Sequence, residues 1–185
     1  MSITRNWETK AEKQAIRIWD PIKFPIPVDV KRLAESLGVQ VLYEELEEDV
    51  SGMMVTREDL SVVILVNQKH HEHRKRFTIA HELGHYLLHR AISPVFVDSK
   101  KVFYRNSVAS TGEEKQEIEA NSFAAELLMP FQEIQKLVPS TISPMDNMDD
   151  IEDLARNYFG VSPLALNYRL ARFGLLETAQ SSKGD

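Results

Sequence analysis

Residues 80–89 read AHELGHYLLH, three histidines and a glutamate within ten positions. His81 and His85 stand four apart. On an α-helix four residues advance the chain by about 6 Å and about 400°, so the two imidazoles sit nearly one above the other. Side chains placed in that way converge on one ion at roughly 2.0–2.1 Å each. Glu82 is turned by about 100° from His81. From there it is no obvious ligand, but it can take a proton from water activated at the ion. This is an HExxH arrangement, and the chemistry it points to is hydrolysis by metal-activated water with a carboxylate base. His89 lies about 12 Å along the axis from His81 and about 80° around it, so in a straight helix the two cannot share an ion. Its simplest reading is a histidine near a helix C-terminus, where an imidazolium is favoured, and the alternative is a contact behind the metal ligands or to substrate.

Such a site needs a third protein ligand and an open position for water. There is no cysteine in the chain, which excludes thiolates, and no histidine follows His89. His70, His71 and His73 precede the motif, and KHHEH reads as a solvated loop leading into the helix. A carboxylate on a second helix is therefore expected, and the stretch EEKQEIEANSFAAELLMP supplies candidates. Its apolar face is expected to be Ile118, Phe123, Ala124, Leu127 and Leu128. Glu117 and Asn121 are i and i+4, with Ala120, Ala124 and Ala125 around them to permit close helix approach. Glu117 is the favoured ligand. Asn121 is placed to accept a hydrogen bond from the outer nitrogen of His81 or His85 and fix its tautomer. Glu119, about 200° from Glu117, is expected to face water and stands as the alternative ligand.

The surrounding elements must hold these two helices. Trp7, Ala11, Ala15, Ile16 and Trp19 have helical spacing, so a first helix is expected over about 7–19. VDVKRLAESLG reads as a second helix stopped by Gly38. VQVLYEEL, GMMVTRE and SVVILVNQ read as three strands, the last two joined through the Arg57–Glu58–Asp59 turn. A small, mostly antiparallel three-stranded sheet follows. The HExxH helix is expected from Glu72 to His89, with Phe77, Ala80, Gly84, Leu87 and Leu88 as its buried stripe. Residues 91–112 read as irregular, with PVFV and KVFY as a possible short hairpin. The second site helix should run from Glu113 to Leu128, closed by Met129–Pro130. PFQEIQKLV, IEDLARNYFG and SPLALNYRLARFG are short helices, the last two separated by Gly160–Val161. The expectation is one α+β domain over residues 1–176, with the helical pair of 151–176 inside it and a frayed tail at 177–185.

Composition bounds the partners. The chain has 185 residues, enough for one domain with a substantial core. A net charge of -6 argues against nucleic acid as the main partner, because phosphate binding needs a basic face. No apolar run is long enough to span a bilayer, and the first residues carry no apolar leader segment. A cytoplasmic protein is expected.

AHELGHYLLH followed by EIEANSFAAELLMP closely resembles the ImmA/IrrE family of bacterial metallo-endopeptidases. PVDVKRLAESLGVQVLYEEL and DVSGMMV resemble that family's N-terminal helix and strands. FYRNS and LARNYFGVSPLALNYRLARFGLL are similar to later segments, so the likeness extends over about residues 25–176. The resemblance implies a minimal zincin-like fold and a matching site at His81, Glu82, His85 and Glu117. It also implies a protein substrate, typically a helix-turn-helix repressor or an antitoxin-like regulator, cleaved to derepress a mobile element, prophage or stress regulon. Zinc suits two histidines and a carboxylate, with manganese or iron(II) as the other ions that donor set admits. A tetrahedral oxyanion needs a further donor, and Tyr104 and Arg105, between the two site helices, are the candidates.

Two other readings compete. LARNYFGVSPLALNYRLARFG has helix-turn-helix spacing, with Arg156, Arg169 and Arg172 expected outside, so the chain could be a DNA-binding regulator with a structural or sensory metal. Three arginines are a thin phosphate footprint on an acidic chain. Alternatively the fold binds a repressor without cutting it, a reading the intact Glu82 argues against.

Overall fold

The computed structural model describes residues 9–18, 25–89, 95–99, 110–137 and 148–175. Helix α1 (Lys10–Ile18) opens with a capping box. The Thr9 hydroxyl accepts from the Glu12 amide at 3.2 Å, and the Glu12 carboxylate accepts from the Thr9 amide at 2.9 Å. Trp7 and Trp19 lie outside the described residues. Helix α2 (Val30–Ser36) is capped by Asp29, whose carboxylate accepts from the Arg32 amide at 3.0 Å. Gly38, at φ +78°, then turns the chain into the sheet.

Strands β1 (Val39–Glu44), β2 (Val50–Thr56) and β3 (Val62–Asn67) form as expected, and β4 (Val95–Ser99) extends them. The architecture is α+β, and the sheet is mixed, in the order β1-β3-β2-β4. β2 pairs antiparallel with β3 and β4, but β1 pairs parallel with β3. The chain leaves β1, skips one strand position, and the β2–β3 hairpin folds β3 into the gap. β3 accordingly reads as a nearly unbroken apolar run, VVILV, buried at Val62, Val63, Ile64 and Val66, as a central strand covered on both faces should be. Asn67, fully buried, ties down the β1–β2 connection. Its amide nitrogen donates to the carbonyls of Glu47 and Val50 at 3.1 and 2.9 Å. Val95–Val97 of the PVFV segment thus pair with β2, and KVFY lies outside the described residues.

The β2–β3 turn holds Leu60 at φ +66° with 73% of its surface exposed. A left-handed conformation costs an ordinary L-residue about 1–2 kcal/mol, and asparagine tolerates it better. Leu60→Asn is expected to stabilise the protein by about 0.5–1 kcal/mol, seen as a raised thermal midpoint. A lowered midpoint would contradict the assignment of strain to this turn.

Helix α3 (Glu72–His89) lies on the sheet and helix α4 (Ser110–Leu128) lies on α3. Gly52 of β2 lets α3 approach: a Cβ there would stand 2.4 Å from the Thr78 methyl and 2.7 Å from the Leu65 carbonyl. α3 is consequently buried without interruption from Thr78 to His85, while Phe77, Leu87 and Leu88 are only partly buried. The expected single stripe corresponds to a helix with one covered side, whereas this one is enclosed by sheet and helix. Ile118 of α4 is 59% exposed, so the packed face of α4 is carried by Ala120, Phe123, Ala124, Leu127 and Leu128.

Helix α5 (Phe131–Leu137) follows the Met129–Pro130 stop. Helix α6 (Met148–Asp153) continues into a π-helical turn over Leu154–Phe159, and α7 (Pro163–Arg172) starts from Ser162, whose hydroxyl accepts from the Ala165 amide at 3.2 Å. Ala155, Phe159, Val161, Leu166 and Leu170 join the core. Arg76 of α3 fastens this pair to the rest, donating from Nε to the Gly160 carbonyl at 3.0 Å.

Candidate metal centre

α3 carries His81, Glu82, His85 and His89, and α4 carries Glu117, Glu119 and Asn121. The two helices touch at Gly84, one residue before His85. A Cβ at Gly84 would lie 3.1 Å from the Ala120 Cα and 3.2 Å from both the Ala120 carbonyl and the Phe123 ring. The small residues expected to permit close approach are thus present on both sides. Gly84→Val is expected to destabilise by about 1–3 kcal/mol, because backbone on the far side cannot swing away. Urea denaturation checks this, and an unchanged midpoint would show that the contact is slack.

That approach closes a triangle of donors. His81 Nε2 and His85 Nε2 are 3.0 Å apart, and they lie 3.2 and 3.1 Å from the Glu117 carboxylate. Neighbouring donors around a tetrahedral ion at ~2.0–2.1 Å are about 3.3–3.4 Å apart, so the triangle is close to one face of such a site. Both histidines are buried and Glu117 is 33% exposed, which leaves one side open. Among the described residues, His81, His85 and Glu117 are the one group of three that could hold a metal. His70, His71 and His73 form no such group.

The protonation states suit a cation. Burial pushes the His85 imidazole below its ordinary pKa, outweighing the Glu117 carboxylate that pulls it up, so the neutral ring is favoured. Desolvation opposes ionisation of Glu117, yet its polar contacts with the His81 and His85 rings prevail and hold its carboxyl at about 2. Neutral imidazoles and an ionised carboxylate are the ligand forms that metal binding requires. Asn121 reaches His81: the ring Nδ1 donates to the amide oxygen at 3.0 Å, which leaves Nε2 bare toward the triangle. Glu82 is fully buried on α3, next in the chain to His81.

Two residues, Glu119 and Arg169, stand elsewhere than local spacing suggested, while His89 ends α3 as expected. His89 is buried, with its Nε2 2.8 Å from the Glu119 carboxylate and its Nδ1 3.3 Å from His85 Nδ1. Glu119 therefore turns toward α3 and not to bulk water. The signal was present in the sequence as a strip of histidines at i, i+4 and i+8. Arg169, expected outside, is 3% exposed and lies between Glu12 and Glu126. Arg156 and Arg172 pair with Glu152 and Glu12 at 2.8 and 2.9 Å. A helix-turn-helix reading assigns charge to the solvent side by default, and here a buried carboxylate pair reverses that. Tyr104 and Arg105 lie outside the described residues.

No helix among the described residues is long and apolar enough to cross a membrane. A protein named "Uncharacterized immunity region protein 2", from Bacillus phage phi105, is 31% identical over 98 residues, which is 53% of this chain and 56% of that protein. The chain thus matches only about half the length of that curated relative. A solved structure described as a Mycobacterium tuberculosis transcriptional regulator superposes with a TM-score of 0.54 at 18% identity, over 94% of this chain and 47% of the other. At that identity the likeness is one of fold alone. The family model for Peptidase_M78, the IrrE N-terminal-like domain, matches residues 34–171 and so takes in the sheet, both helices that carry the donor triangle and the C-terminal pair. With that match covering most of its length, the chain belongs to the M78 peptidases, as the likeness to ImmA and IrrE proteins implied.

Proposed function

We propose that this protein is a zinc-dependent endopeptidase whose substrate is a helix-turn-helix transcriptional repressor, cut to release the genes it silences. The observation that carries the reading is the convergence of His81, His85 and Glu117 with Glu82 buried beside them. His81, His85 and Glu117 would hold the ion. A divalent ion bound there would supply an acidified water and a Lewis acid for the scissile carbonyl. Glu82 takes the proton of the attacking water and delivers it to the leaving amine. Asn121 holds His81 in the tautomer that presents Nε2. Tyr104 and Arg105 are proposed as donors to the developing oxyanion. Two imidazoles and one carboxylate favour zinc over manganese or iron(II). The phage immunity-region relative supports a regulatory protein as partner. Ion pairing of Arg156, Arg169 and Arg172 counts against duplex binding by the C-terminal pair.

Elemental mass spectrometry of the purified protein, with Glu117→Ala beside it, is the first test. About one zinc per wild-type chain and a clear loss in the variant are expected. The zinc-loaded protein is then incubated with the repressor encoded nearest to its gene, and fragments are sought by mass spectrometry. A wild type that takes up no metal when zinc is supplied overturns the peptidase reading. Zinc uptake with the repressor bound but intact would replace it by the binding-module reading.

A further inference from the structure

We infer that Glu119 and His89 are positioning residues for the metal centre, acting through His85 as a carboxylate–histidine–histidine chain. The inference rests on the metal-centre reading above and extends it to two residues that touch no ion. Three distances carry it. Glu119 Oε2 lies 2.8 Å from His89 Nε2, His89 Nδ1 lies 3.3 Å from His85 Nδ1, and His85 Nε2 faces His81 and Glu117 at 3.0 and 3.1 Å.

Hydrogen-bond logic then sets each proton in turn. The Glu119 carboxylate only accepts, so His89 Nε2 carries a hydrogen and donates to it. A His85 ring that offers Nε2 to an ion keeps its hydrogen on Nδ1, and His89 Nδ1 at 3.3 Å stands where it can accept that hydrogen. His85 Nε2 is then the nitrogen that faces the triangle of donors. Asn121 performs the same service for His81 in one step. The two ligands of α3 are thus oriented from two separate positions on α4, the same helix that provides Glu117.

Burial strengthens the chain. The His89 side chain is 3% exposed and that of His85 is 1% exposed, so water competes poorly for these contacts. Glu119 is 27% exposed and lies 3.9 Å from Lys115, so it can be altered at the rim without opening the core. The opposite proton order, begun by a hydrogen on His85 Nε2, would aim an N–H into the metal position and abolish the lone pair.

The test uses the full chain in two measurements. Zinc affinity is read by competition with a chromophoric chelator for wild type, Glu119→Ala, Glu119→Gln and His89→Phe. Glu119→Ala and His89→Phe are expected to weaken zinc by about 10–100-fold. Glu119→Gln keeps an acceptor oxygen and is expected to recover most of that loss, a rescue that simple packing would not give. Separately, proton–nitrogen NMR of the zinc-loaded protein follows the Nδ1 hydrogen of His85 and its exchange with solvent. A slowly exchanging Nδ1 hydrogen in wild type that exchanges faster in Glu119→Ala is the expected result. Wild-type zinc affinity in Glu119→Ala, or an Nδ1 hydrogen equally protected in both proteins, would overturn the inference. If the wild type binds no zinc at all, the metal-centre reading fails and the inference falls with it, whereas tight wild-type zinc with an unaffected Glu119→Ala overturns the inference alone.

Discussion

Glu82→Gln is expected to bind zinc like the wild type while its peptide hydrolysis falls by about 10²–10⁴-fold, the contribution typical of a positioned general base. The amide keeps the volume and shape of the carboxylate, and Glu82 is fully buried, so the surrounding packing is conserved. What is lost is the ability to accept a proton. His81, His85 and Glu117 do not depend on Glu82 for their mutual distances, which are set by the α3–α4 contact at Gly84. Metal content and cleavage rate should therefore separate cleanly. Elemental analysis and product mass spectrometry on the same preparation check both halves. A variant that cuts at the wild-type rate would remove Glu82 from the reaction. One that loses its zinc would instead make Glu82 a structural support of the ligands.

The largest stability effect is expected at Arg169. Its guanidinium is buried among α1, α4 and α7, pairing with Glu12 at 3.1 Å and with Glu126. Nε approaches the Met129 carbonyl at 3.4 Å, and the charge lies 4.5 Å from the centre of the Phe173 ring. Arg169→Leu fills much of the volume but takes away the buried cation that two buried carboxylates share, leaving Glu12 with Arg172 and Glu126 with the Phe131 amide. Removing one partner of a buried ion pair costs about 3–5 kcal/mol. In a chain of this size that is a fall of about 6–20 °C in thermal midpoint. Replacing Glu12 and Glu126 by glutamine in the same variant should restore a large part of the loss, since the damage lies in uncompensated charge. A single Arg169→Leu that melts with the wild type would mean that the triad is solvated and weak.

These two residues also mark what could be read from the sequence. Glu82 and its histidines declare themselves because the chemistry demands i and i+4 on one helix, a purely local relation. Glu117 was reachable by the same rule once a second helix with small residues was found. Arg169 was not, because its partners are 157 and 43 positions away and nothing local distinguishes it from a solvated arginine. The sheet shows the same division. Alternation and β-branched residues identified β1, β2 and β3, but strand periodicity is silent on neighbours, so the parallel β1–β3 pairing emerged only in three dimensions. PVFV was read as a strand of a short hairpin, and β4 does form there, but its place on the edge of β2 could not be read from so short a stretch. Glu119 was misplaced for a related reason. An angle measured about one helix axis excludes a residue from one site and cannot say what the neighbouring helix brings to meet it.

The division of the donors between α3 and α4 has a thermodynamic consequence. An ion in the proposed centre is held by the assembled helix pair and by neither helix alone, so the unfolded chain competes for it poorly. Occupancy then shifts the folding equilibrium by mass action, and free metal at one hundred times its dissociation constant adds about 2.7 kcal/mol to the native state. Chelation withdraws the same amount. The stability of the fold and the hydrolysis proposed for it would thereby respond to one external variable, the free metal concentration.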